Sequence, residues 1–350
     1  MASKKNTNKD NISKIKSLRK FDPPVAELYK GILEGDITAL ARAITLVEST
    51  SIEHFQKSNT LINNCLPHSG NSLRIGITGV PGVGKSTFIE SFGSLLIENG
   101  KKVAVLAVDP SSSISKGSIM GDKTRMQELV KNTNAYIRPS PTGLSLGGVA
   151  RKTRETIILC EAAGFDTILV ETVGVGQSET AVHGMVDFFL LLQLAGAGDE
   201  LQGMKRGIIE MADAIVINKA DGHNYDEAQL AKAEFTRAVH LYPPKENGWT
   251  TKVLSCSALE GTGITDIWKV IQTYTEPKKM GDHLLEKRRQ QNKYWLLQTI
   301  DDLLKQQFYN NDQIKPQLEK LTKQVVSGKI SPFAAAEELI KLSQKPNIKS

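Results

Sequence analysis

The stretch GITGVPGVGKST, residues 76–87, holds the residues whose types and spacing could do chemistry. Gly79, Gly84, Lys85 and Ser86 match the phosphate-binding pattern GxxxxGK[ST]. Glycines let successive backbone N–H groups point at phosphate oxygens, and a following helix adds its partial positive charge. Lys85 is predicted to reach the β and γ phosphates, and Ser86 to offer its hydroxyl to Mg²⁺. The residues predicted to cradle the phosphates are Gly79, Val80, Pro81, Gly82, Val83, Gly84, Lys85, Ser86 and Thr87.

A second motif, NKAD at 218–221, indicates which base is bound. The Asp221 carboxylate can accept hydrogen bonds from guanine N1–H and its exocyclic amine, whereas adenine has no such donors on that edge. Lys219 is expected to lie along the base and Asn218 to brace the loop. Downstream, Ser257 and Ala258 of SCSALEG could present a backbone N–H to guanine O6. The sequence therefore predicts GTP and GDP as ligands.

Three acidic residues are candidates for the metal and for hydrolysis. Asp109 ends the run KVAVLAVD, Glu171 ends TILVE, and Asp122 lies in GSIMGDKTRM. Ligands gather at the carboxyl ends of parallel strands, and Mg²⁺ takes oxygen ligands while keeping several waters. We predict that Ser86, Asp109, Asp122 and Glu171 serve the metal. The alternative for each acid is an ordinary helix cap or a solvated charge.

Short apolar, β-branched runs alternate with longer amphipathic segments along the middle of the chain. This alternation predicts an α/β fold, a P-loop NTPase with a mostly parallel central sheet flanked by helices. The six runs expected to form strands are LRIGITG, KVAVLAVD, TILVET, FFLLLQLA, AIVINKAD and KVLSCSA.

Helical segments flank this core. We predict a disordered basic tail over 1–22, an N-terminal helical arm over 23–70 with Asp36 as a cap, the nucleotide-binding domain over 71–276, and a C-terminal helical extension over 277–350. In the extension, Ser331 and Pro332 start a helix, and another carries one apolar stripe: Leu296, Ile300, Leu303, Leu304 and Phe308. The extension is expected to pack against the domain or, as a dimerisation element, against a second copy.

Charge and cysteine content exclude several classes. The formal net charge is +6, but residues 1–20 hold seven Lys/Arg and one Asp, so the rest of the chain is balanced and no nucleic-acid partner is expected. The sequence has no apolar stretch that is long enough to predict a membrane span. Three widely separated cysteines favour a reducing compartment and argue against zinc. We expect a cytoplasmic bacterial protein, or a mitochondrial matrix protein if the tail is a targeting segment.

Several motifs together identify a family resemblance: GVPGVGKST, VLAVDPSS, GSIMGDKTRM, LGGVARKTRETI, ETVGVGQSE and INKAD. In this order they resemble the MeaB/ArgK family, the methylmalonyl-CoA mutase-associated GTPases. The likeness runs from about Asp36 to Ile267 and more loosely through the C-terminal helices.

The resemblance implies a usually homodimeric GTPase that binds an adenosylcobalamin-dependent acyl-CoA mutase. Methylmalonyl-CoA mutase is the first candidate, and isobutyryl-CoA and related mutases are the alternatives. Such a GTPase gates cobalamin loading and protects or reactivates the mutase. It implies that Lys85, Asp109, Asp122 and Glu171 act in hydrolysis, the three acids on the metal and the attacking water. No bound cobalamin is expected, since the chain lacks a DxHxxG signature.

Two features depart from a common GTPase pattern or add to it. Where many GTPases have DxxG followed by glutamine, Glu171 takes the Asp position and Gln177 lies three residues beyond Gly174, which leaves open whether Gln177 positions the water. The loop 194–207, LAGAGDELQGMKRG, combines glycines with charges of both signs and is the candidate signalling loop toward a partner.

Three other functions compete with this reading. A nickel metallochaperone GTPase should show a Cys/His cluster, whereas the six histidines are scattered in sequence. A nucleic-acid or ribosome-binding switch would need a basic face. A scaffold that binds GTP without turnover is compatible with every motif.

Overall fold

The protein is described by a computed structural model that covers residues 23–108, 126–139, 146–172, 178–196, 206–276 and 283–344. Seven strands form one sheet in the order β3-β2-β4-β1-β5-β6-β7. Every neighbouring pair is parallel, which confirms the predicted fold class. The strands are β1 Leu73–Gly79, β2 Val103–Val108, β3 Ala135–Arg138, β4 Thr167–Thr172, β5 Phe188–Gln193, β6 Ala214–Ile217 and β7 Lys252–Ser255.

Strand β1 lies between β4 and β5 and carries the phosphate-binding motif at its carboxyl end. Ile77 is in register with Glu171 of β4 and with Leu190 of β5. All residues of β4 and β5 are buried, as expected for strands covered on both faces. The carboxyl ends of three neighbouring central strands therefore meet at Gly79.

Helices alternate with these strands and cover both faces of the sheet. The helices are α1 Val25–Leu33, α2 Ile37–Glu48, α3 Ile52–Cys65, α4 Lys85–Glu98, α5 Gln127–Lys131, α6 Leu146–Ala162, α7 Ser178–His183, α8 Arg206–Met211, α9 Tyr225–Val239, α10 Ile264–Thr275, α11 His283–Tyr309, α12 Ile314–Val326 and α13 Pro332–Ser343. On one face, Phe88 and Phe92 of α4 pack with Trp268 of α10. On another part of the sheet, Phe235 of α9 packs on Ile215 and Ile217.

The predicted N-terminal arm forms three helices, α1 to α3. Asp36 caps α2, as predicted, by accepting a hydrogen bond from the Thr38 N–H at 2.7 Å. The arm packs against α6. A salt bridge between Glu48 and Arg138 and a cation–π contact of Arg151 with Phe55, at 5.2 Å, connect the arm to the sheet and to α6.

The chain divides into two compact units, Met1–Leu284 and Leu285–Ser350. Ile314 and Leu321 of α12 pack against Ala335 and Leu339 of α13. As predicted, Ser331 caps α13 by accepting from the Ala334 N–H at 3.1 Å. The domain boundaries drawn from composition stay predictions.

All three cysteines, Cys65, Cys160 and Cys256, are free thiols in the interior. Burial raises the pKa of Cys65 to about 11 and that of Cys256 to about 12, and it raises the pKa of Cys160 further still. Thiolate formation is therefore suppressed at neutral pH. Separately, none of the helices in the described ranges is long and apolar enough to cross a membrane.

Candidate functional site

The phosphate-binding loop joins β1 to α4, where the sequence placed it. Gly79 and Gly84 have φ angles of +155° and +93°, which side-chain-bearing residues rarely adopt. A Cβ at Gly79 would stand 2.6 Å from the Leu192 carbonyl oxygen, and one at Gly84 would stand 2.8 Å from Asn218 Nδ2. Both glycines are thus required by backbone conformation and by close neighbours.

Some of the residues predicted to surround the phosphates are buried, and others are exposed to solvent. Val83 and Lys85 are buried, and Val80, Gly84 and Ser86 are half-buried. Pro81, Gly82 and Thr87 are exposed. Ser86 is the second residue of α4, where a hydroxyl beside the helix N-terminus can serve a phosphate-bound metal ion.

Lys85 holds the loop through its ammonium group. Its Nζ donates to the carbonyl oxygens of Gly79 at 2.8 Å and Val80 at 3.3 Å. Burial lowers the pKa of Lys85, while the carboxylates of Glu171 and Glu179 oppose that shift. These contacts place a positive charge at the point where the β and γ phosphates are predicted to bind.

Two buried carboxylates face this lysine, and sequence reasoning found only one. Glu171 lies in β4 at 8% exposure, as predicted for an acid at a strand end. Glu179, in α7, is 3% exposed and was missed, although it stands in the quoted motif ETVGVGQSE. Glu179 is the last residue of that motif, and this placement was the available signal. At the same strand ends, Thr172 donates to Thr78 through their hydroxyls at 2.7 Å.

Asn218 connects the phosphate loop to the segment SCSALEG, the predicted base-binding loop. Its Nδ2 donates to the Val83 carbonyl at 2.8 Å, and its Oδ1 accepts from the Ala258 N–H at 3.1 Å. Asn218 is 1% exposed, so these bonds form away from water. The bracing role predicted for Asn218 is thereby given specific partners. The Ala258 N–H, predicted to reach guanine O6, donates to Asn218 here, and its role toward the base stays a prediction.

Asp221 and Lys219 border the place predicted for the base. The Ser257 hydroxyl donates to Asp221 Oδ2 and accepts from the Glu260 N–H at 3.1 Å. Lys219 is exposed and adopts φ +60°, and its Cε would lie 3.9 Å from a Cβ on Gly84. The aliphatic stem of Lys219 therefore runs beside the phosphate loop.

Several predicted residues lie outside the described part of the chain. They are Asp109, Asp122, Gln177 and residues 197–205 of the 194–207 loop. Asp109 directly follows Val108, which ends β2 and is in register with Thr172 of β4. Within the described ranges, no group of three or more His, Cys, Asp or Glu side chains comes together as a metal centre.

Replacing Ser257 by alanine is expected to weaken GTP and GDP binding about tenfold. The change removes the hydroxyl that orients Asp221 and accepts from Glu260, and a lost bond to a charged group costs about 1.5–3 kcal/mol. Calorimetry with GDP measures the effect. Ser255→Ala is the matched control, since that hydroxyl contacts Gln229 instead. Equal affinity of the two variants would contradict an orienting role for Ser257.

A phosphate loop at the end of β1, a buried lysine and a braced NKAD loop on one all-parallel sheet define a P-loop protein of the guanine-nucleotide-binding class. The family model described as methylmalonyl Co-A mutase-associated GTPase MeaB matches residues 40–313. The chain belongs to this MeaB family.

Individual relatives agree with the family match. The chain is 48% identical to the GTPase ArgK of Escherichia coli over 82% of this chain and 87% of that protein. It is 46% identical to the mitochondrial methylmalonic aciduria type A homolog of Mus musculus, over 91% and 79% of the two chains. A solved structure, described as a LAO/AO transport system kinase, is 39% identical with a TM-score of 0.72 and covers 92% of this chain and 98% of that one.

Proposed function

We propose that the protein binds GTP with Mg²⁺, hydrolyses it to GDP and phosphate, and acts as a chaperone for an adenosylcobalamin-dependent acyl-CoA mutase. The observation that carries the nucleotide assignment is the Asn218 bridge, which joins the phosphate loop at Val83 to the base-binding loop at Ala258. The loops proposed to bind the phosphates and the base are thus hydrogen-bonded to each other through Asn218. The relatives named GTPases support turnover.

Oxygen donors at the strand ends fit a magnesium ion. Glu171 supplies a buried carboxylate opposite Lys85, and Ser86 supplies a hydroxyl at the start of α4. These are the hard oxygen ligands that Mg²⁺ prefers. We propose that Ser86, Asp109, Asp122 and Glu171 hold the ion, directly or through water. A bound Mg²⁺ would neutralise charge on the phosphates.

The residues of the chain have separate tasks in hydrolysis. The glycine-loop N–H groups and Lys85 stabilise negative charge on the phosphates, while Asp109, Asp122 and Glu171 orient the attacking water. The water oxygen bonds to the γ phosphorus as the bond to the β–γ bridging oxygen breaks. Positioning and electrostatics account for most of the catalysis in such transfers.

The family description supports a methylmalonyl-CoA mutase as the partner. We propose that the 194–207 loop carries the nucleotide state to it. The far end of this loop leads into α8, and residues at and just beyond the end of α8 are hydrogen-bonded to the segment 245–249. Lys245 Nζ donates to the Met211 carbonyl at 2.9 Å, and Trp249 Nε1 donates to the Asp213 carbonyl at 2.9 Å.

A second copy of the chain is the proposed partner of α11. Four side chains of the predicted stripe remain partly exposed there, with exposures from 38% to 62%: Leu296, Ile300, Leu303 and Leu304. Phe308 instead packs with the cluster formed by α12 and α13. Exposed apolar patches of this kind are typical of protein–protein contacts. The molar mass in solution, by light scattering, tests the homodimer.

The proposed function is tested by GTP hydrolysis of the purified protein, with ATP as control. The assay is run without and with an adenosylcobalamin-dependent methylmalonyl-CoA mutase. We expect GTP turnover that rises when the mutase is added, and little turnover of ATP. GTP binding without single-turnover hydrolysis would indicate a scaffold. GTP turnover that the mutase leaves unchanged would contradict the proposed partner and leave the hydrolase in place.

A further inference from the structure

We propose that Glu179 couples nucleotide binding to Mg²⁺, because its buried carboxylate lies beside the phosphate-binding loop, where it repels phosphate groups and attracts the metal ion. The inference rests on the proposed function and deepens it, since it assigns a role to a residue that neither GxxxxGK[ST] nor NKAD contains. Glu179 is 3% exposed. Glutamate is almost never buried to this extent unless it is paired.

The position of Glu179 follows from the course of α7. This helix follows β4, which ends at Thr172 at the carboxyl edge of the sheet, and it leads to β5, which begins at Phe188 at the amino edge. It packs against β1 and β4. The helix therefore runs from the carboxyl edge toward the amino edge, antiparallel to the strands. Glu179 is its second residue and lies in the turn nearest the carboxyl edge.

Val182 shows which side of α7 faces the sheet. A Cβ on Gly76 of β1 would lie 3.1 Å from Val182 Cγ1, so α7 contacts β1 at this point. Glu179 precedes Val182 by three residues, so both side chains project from the same side of the helix. Gly79 lies about 10 Å beyond Gly76 along the strand, and three helical residues move Glu179 about 4.5 Å in that direction. The remaining distance to the start of the phosphate loop is within the reach of a glutamate side chain.

The charge of Glu179 acts on Lys85 at this end of the strand. Lys85 Nζ donates to the Gly79 carbonyl at 2.8 Å, which places the ammonium group where β1 ends. Burial lowers the pKa of Lys85, and the negative charges of Glu171 and Glu179 oppose that shift. The Glu179 carboxylate therefore lies close enough to the phosphate-binding lysine for a Coulomb interaction with it.

The two carboxylates approach Lys85 from opposite faces of the sheet. Glu171 is in register with Ile77, whose side chain packs with the core beneath α4. Successive residues of a strand point to opposite faces, so Gly76 points to the other face, where α7 packs. A change at Glu179 therefore leaves the proposed magnesium ligand Glu171 in place.

A carboxylate at this position acts in opposite directions on the nucleotide and on the metal ion. It repels the negatively charged phosphates and attracts Mg²⁺, which neutralises them. Salt screens charges in a buried site much less than charges on the surface. Glu179 is therefore expected to weaken binding of the nucleotide alone and to favour its magnesium complex. A residue that only held α7 against the sheet would affect both forms in the same direction.

The test replaces Glu179 by glutamine, which keeps the shape and removes the charge, and measures GDP affinity by calorimetry with EDTA and with saturating Mg²⁺. We expect GDP with EDTA to bind about tenfold more tightly to the variant, since one repulsive charge is removed. The Mg²⁺ concentration that gives half-maximal GTP hydrolysis is expected to rise about tenfold. Glu179→Asp keeps the charge, so its GDP affinity with EDTA should stay within about threefold of wild type.

Glu161→Gln is the matched control. Glu161 is also buried, at 6% exposure, but its carboxylate accepts hydrogen bonds from Arg74, the second residue of β1. The variant removes the same charge at the amino end of the strand, far from the phosphates. Its GDP affinity and its Mg²⁺ requirement should therefore be those of wild type.

Two results would overturn the inference. One is a Glu179→Gln protein whose GDP affinity with EDTA and Mg²⁺ requirement both match wild type. The other is weaker GDP binding both with and without Mg²⁺, which would mark a purely structural role in α7. If Glu179→Gln fails to fold, Glu179→Met removes the charge at a similar volume and is measured with the same expectations. Failure of the wild-type protein to bind GDP or GTP would instead refute the proposed function itself.

Discussion

GTP hydrolysis is expected to fall below detection when Lys85 is replaced by alanine. The ammonium group is predicted to bond two phosphates, and a hydrogen bond to a charged group is worth about 1.5–3 kcal/mol. Two such bonds correspond to roughly 10²- to 10⁴-fold in affinity. The substitution also removes the bonds to the Gly79 and Val80 carbonyls that hold the loop.

The measurement is GTP binding by calorimetry together with phosphate release. Lys102→Ala is the control, because Lys102 is exposed and precedes β2 at the opposite end of the sheet. Hydrolysis at the wild-type rate in the Lys85 variant would refute the phosphate-site assignment. A loss of binding without a change in melting temperature would support a direct role for the ammonium group.

Asp221→Asn is expected to change which base is preferred. The amide offers a donor where guanine also presents donors, so GTP affinity should fall about 100-fold, the equivalent of about 3 kcal/mol. Xanthine carries a carbonyl oxygen in place of the exocyclic amine, so xanthosine triphosphate should bind more tightly to the variant than to wild type.

Competition between GTP and xanthosine triphosphate, read out by hydrolysis, measures this switch. Asp226→Asn provides a matched control from an exposed position in the first turn of α9. Full guanine preference in the Asp221 variant would mean that another residue reads the base. The Ser257 hydroxyl, which donates to Asp221, would then be the first neighbour to vary.

The parts of the fold that could be predicted from sequence are those with a strong local pattern. Glycine spacing located the loop between β1 and α4, and apolar runs marked six strands. Strand β3, four residues long at one edge of the sheet, was missed, whereas β7 at the other edge is equally short but leads into the SCSALEG motif that marked it. The place of β3 depends on pairing with β2, which no local pattern records.

The site residues that were missed depend on tertiary contacts. Glu179 reads as an ordinary helical surface charge, yet it is 3% exposed. Its helix α7 comes close to β1 because Gly76 has no side chain, and a Cβ there would meet Val182 Cγ1 at 3.1 Å. Such roles follow from packing rather than from motif spacing.

The burial of all three cysteines makes the protein suitable for site-specific labelling. Their raised pKa values and lack of exposure leave them poorly reactive toward maleimides at neutral pH. A thiol introduced by Leu259→Cys, at a position that is 82% exposed and close in sequence to Ser257, would then react selectively. A fluorophore attached there could follow the arrival and release of guanine nucleotides in real time, with the native cysteines left in place.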